Sequence, residues 1–149
     1  MENRGRNFYN AILTEHNLYP AHKHDLPGAT AEKDGVNPSC GDVIRLKLKL
    51  ENDVIVDGSF VGDGCAISQA SADIMLDMIV GKRTEEAKKI SDTFLRMIRS
   101  EATEAEIESL EEAGALADVA HMPARVKCAV LGWHTLREML QEPEVEDQP

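Results

Sequence analysis

The sequence predicts an α+β fold, and two observations carry that assignment. One stretch alternates apolar and polar side chains with a period of two and is followed by a turn and a second extended run. Everything after it has helical spacing, broken by capping residues, glycine and proline rather than by further strands. A hairpin followed by a run of helices is the element order of the α+β class.

Taken in order, Phe8–His16 reads as a short amphipathic helix with Phe8, Ile12 and Leu13 on one stripe, ended by Asn17-Leu-Tyr-Pro20. From Pro20 to Ser39 periodicity is weak, with turns at Pro27-Gly28 and Asn37-Pro38 and room for a short edge strand between them. Val43–Leu50 is the clearest strand: Ile44, Leu46, Leu48 and Leu50 alternate with Val43, Arg45, Lys47 and Lys49. Glu51-Asn52-Asp53 is the turn and Val54–Val61 the returning strand. Ala66–Val80 is helical and stops at Gly81; Thr84 is expected to cap a helix running to about Arg99, with Glu85 and Glu86 complementing its dipole. Thr103 should cap a short acidic helix ending near Gly114, and Pro123 should open a last helix through about Leu140. The expected organisation is one domain over residues 1–140 and a disordered acidic tail over 141–149.

The 149-residue chain carries a net charge of −11, which repels phosphate backbones and argues against nucleic-acid binding. The acidic excess gathers in Glu101–Glu112 and in Glu142–Pro149. No stretch approaches the roughly 18 apolar residues that suggest a membrane span, and no secretory segment is visible, so no membrane association and a cytoplasmic location are expected. The core must be largely aliphatic, with Trp133, Phe8, Phe60 and Phe94 as its large pieces.

The chemistry lies in the cysteines. The chain has 3, in Cys40-Gly-Asp42, Gly62-Asp-Gly-Cys65-Ala and Arg125-Val-Lys-Cys128-Ala. An odd count without secretory features argues against a disulfide framework. Three thiolates and a carboxylate complete a ligand set for zinc or for an iron–sulfur cluster. A hairpin turning near Asn52 brings Cys40 and Cys65 toward each other, and Cys40 and Asp42 share parity with the core-facing residues of the strand. Pairing Leu46 with Phe60 and Leu48 with Gly58 puts position 66 opposite Cys40, so a bulge at Gly62–Gly64 is expected to restore the match. Cys65 at the start of a helix gains from free N–H groups and the dipole, and Arg125, one turn before Cys128, is expected to be an electrostatic neighbour. His22 and His24 read as solvent-exposed, Trp133 as core, and Asp63 is adjacent to the site without a role.

Three motifs carry a resemblance: Asn37-Pro-Ser-Cys40-Gly-Asp42, Phe60-Val-Gly-Asp-Gly-Cys65-Ala-Ile-Ser-Gln-Ala-Ser71, and Arg125-Val-Lys-Cys128-Ala-Val-Leu-Gly-Trp133. From about Phe8 to about Leu140 the chain resembles the SufU branch of the IscU/SufU (NifU N-terminal-like) iron–sulfur assembly proteins. That resemblance implies a small antiparallel sheet covered on one face by helices, with a metal site at one end. It implies Cys40, Asp42, Cys65 and Cys128 as zinc ligands and Cys40 as the acceptor of sulfur from a SufS-type cysteine desulfurase. Sulfur would pass on to apo iron–sulfur proteins or other assembly components. Lys127 stands where the IscU branch has histidine, and His121-Met-Pro-Ala-Arg125 replaces that branch's Leu-Pro-Pro-Val-Lys segment. The resemblance therefore does not carry dedicated chaperone-driven transfer over to this chain. The segment between Cys65 and Cys128 is longer than in the IscU branch and includes the acidic 101–112 stretch. Two alternatives stay open: a scaffold holding iron or a [2Fe–2S] cluster on the same ligands, and an interaction module with a structural zinc.

Overall fold

A computed structural model describes the backbone of residues 11–39 and 41–146 and the side chains through residue 141. Phe8, Cys40 and residues 147–149 lie outside the described residues. The first helix, α1, is described over residues 11–18 and buries Ile12 and Leu13. The three strands β1 (Ala31–Asn37), β2 (Asp42–Glu51) and β3 (Val54–Asp63) form an antiparallel sheet in the order β1-β2-β3. Then come α2 (Ala66–Ile79), α3 (Thr84–Ile98), α4 (Glu104–Ser109), a 3-10 helix (Glu111–His121) and α5 (Pro123–Glu146).

The alternation in β2 decides which face is core. Asp42, Ile44, Leu46 and Leu48 are all buried, while Val43 and Arg45 face out. Helices α2 and α5 cover the buried face, with α3 on α5. Ile74, Met75, Leu76 and Ile79 of α2 and Trp133 and Leu136 of α5 complete the aliphatic core. Trp133 stacks on Phe94 with centroids 4.1 Å apart and planes within 7°. Its indole N–H donates to Ser71 Oγ at 3.0 Å, and that hydroxyl donates to the Ala129 carbonyl at 2.7 Å, so the buried donor is satisfied. The other sheet face stays open, with Val36 and Val56 exposed and Arg45 paired to Asp34 at 2.7 Å.

Four sequence expectations are corrected. The bulge falls between Lys49 and Leu50 on the β2 side, leaving Val56 of β3 unpaired, and not at Gly62–Gly64. Asn52 and Asp53 both adopt left-handed φ (54° and 66°), making a two-residue turn that pairs Glu51 with Val54. That tight turn is one residue out of step with the Leu46–Phe60 core pairing, and the bulge absorbs the difference beside the turn. Gly62 instead lies at φ +137°, with no space for a Cβ, which would stand 2.2 Å from the Val43 carbonyl oxygen.

The second correction concerns α3, whose N-cap is Arg83 without a side-chain bond; Thr84 is already helical. Third, the acidic helix ends at Ser109, and the chain continues as the 3-10 helix through His121. Thr103 does cap α4, in a capping box with Glu106. Arg96 of α3 grips that Glu106 carboxylate with two nitrogens at 3.0 and 2.8 Å and holds its pKa down to about 2. Fourth, α5 runs on to Glu146 rather than stopping near Leu140. Among the described residues no helix is long and apolar enough to cross a membrane.

Candidate metal centre

The regular ladder at the hairpin mouth builds the site. Pairing continues to Val43 opposite Asp63, so the chain leaves β3 alongside the start of β2. Asp42, the first residue of β2, is 3% exposed and keeps the parity of the core residues that follow it. Cys65 is the N-cap of α2, and its sulfur accepts from the Ser68 N–H at 3.5 Å. The Cys65 N–H donates to Asp42 Oδ1 at 3.0 Å, so the helix start is stitched to the strand start. Cys128, 5% exposed, arrives on the first turns of α5. Its sulfur, the Cys65 sulfur and an Asp42 carboxylate oxygen lie within 4.8 Å of one another.

This donor set fits zinc. Tetrahedral ligands with bonds of about 2.0–2.3 Å lie roughly 3.3–3.8 Å apart, inside the observed spacing. The space is also shaped for it. A Cβ on Gly64 would stand 2.4 Å from Ser68 Oγ and 3.4 Å from Asp42 Oδ1, so only glycine leaves the rim open. Gln69 fixes that glycine by donating from Nε2 to its carbonyl at 2.7 Å. The amide groups at the start of α2 and the helix dipole favour a negative sulfur at Cys65.

Cys40 lies outside the described residues, but its neighbours are placed. The buried Asn37 closes β1, its side-chain oxygen accepting from the Ser39 N–H at 3.2 Å and its carbonyl from the Gly41 N–H at 2.8 Å. Lys127, beside Cys128, donates to Ser39 Oγ at 3.3 Å. The residues flanking Cys40 are thus tied to β1 through Asn37, and Ser39 is tied to α5 through Lys127. Three of the four sequence-picked donors come together, and the fourth is flanked by residues anchored next to them.

Arg125 is exposed and belongs to no ion pair among the described residues. It lines a cleft with Leu13, Leu18, Ile67 and Met122, next to Ala66, which follows Cys65. His134 stands apart, in a groove between β1 and α5, where burial lowers its pKa. His22 departs from its reading as a free surface residue: Nε2 bonds Asp77 at 2.8 Å, and its N–H donates to Asp73 at 2.8 Å. Sequence reasoning left Asn37, Gly64, Gln69 and Lys127 without roles at the site. Only Gly64 and Gln69 carried a signal, as the residue before Cys65 and the residue one turn after it.

The family model described as NifU-like N terminal domain matches residues 8–143. A protein named iron-sulfur cluster assembly scaffold protein IscU from Streptococcus pyogenes serotype M1 is 41% identical over 89% of this chain and 82% of its own. The zinc-dependent sulfurtransferase SufU of Bacillus subtilis (strain 168) is 38% identical over 91% of each chain. A crystal structure described as a putative iron-sulfur cluster assembly scaffold protein for the SUF system, from Fervidobacterium islandicum AW-1, superposes with a TM-score of 0.80 at 33% identity, covering 89% of this chain and 96% of that one. The chain belongs to the NifU-like N-terminal domain family, among relatives named IscU and SufU.

Proposed function

We propose that this protein works in iron–sulfur cluster assembly as a zinc-dependent sulfur acceptor for a SufS-type cysteine desulfurase. The observation that carries the reading is the convergence of Asp42, Cys65 and Cys128 within 4.8 Å beside the anchored residues that flank Cys40. Asp42, Cys65, Cys128 and Cys40 would hold the ion. Bound zinc supplies Lewis acidity that keeps thiols ionised at neutral pH.

The chain's own residues do the rest. Asn37 and Lys127 orient the Cys40 turn from two sides. The α2 N-terminus and the Asp42–Cys65 bond fix one wall of the site. Cys40, as a thiolate, attacks the terminal sulfur of the partner's persulfide. The new S–S bond forms at Cys40, the donor's S–S bond breaks, and its electron pair leaves on the partner's cysteine. Cys40 then carries the sulfur to apo iron–sulfur proteins or other assembly components. Arg125 stands exposed beside the site, available to an anionic partner group.

The test follows labelled sulfur from a persulfide-loaded desulfurase. Wild type should take up about one sulfur and the Cys40→Ala variant almost none. Equal uptake by the two would overturn the assignment. The composition of the donor set also favours a second reading. A carboxylate is a weaker, more exchangeable partner for iron than a thiolate, which suits a scaffold that hands a cluster on. On that reading anaerobic reconstitution yields iron and sulfide that transfer to an apo acceptor, and absence of transfer rejects it.

A further inference from the structure

α2 carries a second polar cluster, about two turns beyond Cys65, that the sulfur chemistry does not use. At its centre is His16 of α1. Its Nδ1 lies 2.7 Å from Oδ2 of Asp73 on α2, a carboxylate only 1% exposed. Its Nε2 lies 2.7 Å from Oε1 of Glu112 on the 3-10 helix. An ionised carboxylate only accepts, so two such contacts require hydrogens on both ring nitrogens, which is the imidazolium.

The distances are those expected of charge-assisted hydrogen bonds. A charge-assisted N–H···O bond spans about 2.7–2.9 Å. Nitrogen and oxygen ligands sharing an ion at about 2.0–2.1 Å stand roughly 2.9–3.3 Å apart. Both contacts, at 2.7 Å, are of hydrogen-bond length. Burial opposes the charge on His16, but the hydrogen bonds and charges of Asp73 and Glu112 outweigh it, and its pKa is raised above 6.5.

Three further titratable groups lie around it. Asp77 of α2 offers a further carboxylate oxygen within 4.8 Å. His22, in the segment after α1, is engaged with Asp77 at 2.8 Å. Glu15 precedes His16 on α1 itself and is exposed. A neutral ring can donate to only one of its two carboxylate neighbours, and the other contact becomes two lone pairs facing each other at hydrogen-bond distance.

What the ring joins gives the bond a consequence. It ties α1 to α2 and to the 3-10 helix, three elements far apart in sequence. Leu13 and Leu18 of α1 also wall the cleft of about 380 Å³ whose far side is Ala66, Ile67 and Arg125, next to the metal centre. We infer that His16 is a proton-operated latch. Charged, it fixes α1 and the 3-10 helix on α2; neutral, it loosens α1 and reshapes the cleft beside Cys65. A group with a raised folded pKa contributes its full stabilisation below the unfolded value of 6.5 and loses it as pH rises through the folded value.

Nitrogen–proton correlation spectra of the labelled full chain from pH 6 to 9 test this, with amide exchange of residues 11–18 followed alongside. His16 should show two protonated ring nitrogens at pH 6.5 and convert to one tautomer at higher pH. Exchange in α1 should then rise faster than the tenfold per pH unit of simple base catalysis. His16→Gln should abolish that excess. The milder Glu112→Gln, at an exposed side chain, should keep the fold and move the His16 titration downward. A single protonated nitrogen at pH 6.5 would overturn the latch, as would α1 exchange that follows base catalysis alone. Zinc that shifts the His16 signals in a Cys65→Ala background would show an ion site in its place.

Discussion

One helix, α2, serves two polar clusters that hold themselves together differently. At its N-cap, Cys65 meets Asp42 and Cys128 with their donor atoms within 4.8 Å of one another and two of the three donors sulfur. Two turns on, Asp73 meets His16 at 2.7 Å, with nitrogen and oxygen as the only donors and no sulfur. Donor type sets the two apart: sulfur and carboxylate suit a soft ion, while imidazole between two carboxylates suits a proton. On the readings proposed above, cutting the first cluster loses a metal and cutting the second loosens the seating of α1.

Removing a sulfur should have the largest effect. Zinc binding at four-ligand sites is worth about 10–16 kcal/mol, so each ligand contributes roughly 2.5–4. Cys65→Ser and Cys128→Ser should each weaken zinc by about 100-fold or more in competition with a chromophoric chelator. Either variant binding zinc like wild type would break the distinction from that end. Asp73→Asn attacks the other cluster. It leaves the half-buried His16 facing a neutral amide, and loss of a charge-assisted hydrogen bond of this kind costs about 1–3 kcal/mol. Denaturant unfolding should show that loss while zinc content stays at wild-type level.

Gly64→Ala is expected to be smaller and confined to the first cluster. Its Cβ would press on Ser68 Oγ and Asp42, and displaced supports of a metal ligand typically weaken the ion by about 10–100-fold. The smallest effect sits outside both clusters. Glu106 has its pKa lowered to about 2 by Arg96 and then by the Thr103 backbone, so its contribution is complete above 4.5 and lost as pH falls toward 2. The pair is half-exposed and screened by solvent, so acid melting of Glu106→Gln should differ from wild type only slightly, and only in that window. A change in its zinc content would mean that the acidic segment communicates with the metal centre.

Much of the first cluster was legible in the chain, because its causes are local. Parity along β2 alone orients Asp42 inward, and a cysteine between glycine and a helical run is a helix cap by position. The approach of Cys128 could be read only through resemblance, since packing of α5 on α2 and β1 delivers it. The second cluster was invisible for the same reason. His16, Asp73 and Glu112 are separated by 57 and 96 residues from the histidine, and no periodicity links them. The misplaced bulge has a different origin. Glycines at 62 and 64 signalled an irregularity, yet they answer a positive φ and a tight contact. The extra residue was instead demanded by the Asn52–Asp53 turn. The 3-10 stretch after Ser109 keeps helix-like spacing, so composition could not distinguish it from α-helix.

Zinc K-edge absorption on freshly purified protein addresses the four-ligand centre most directly. One zinc per chain should appear with three sulfurs at about 2.3 Å and one light atom at about 2.0 Å. The light-atom shell should be altered in Asp42→Ala and one sulfur lost in Cys40→Ala. A shell of nitrogen and oxygen alone, or one left unchanged by both substitutions, would contradict the account.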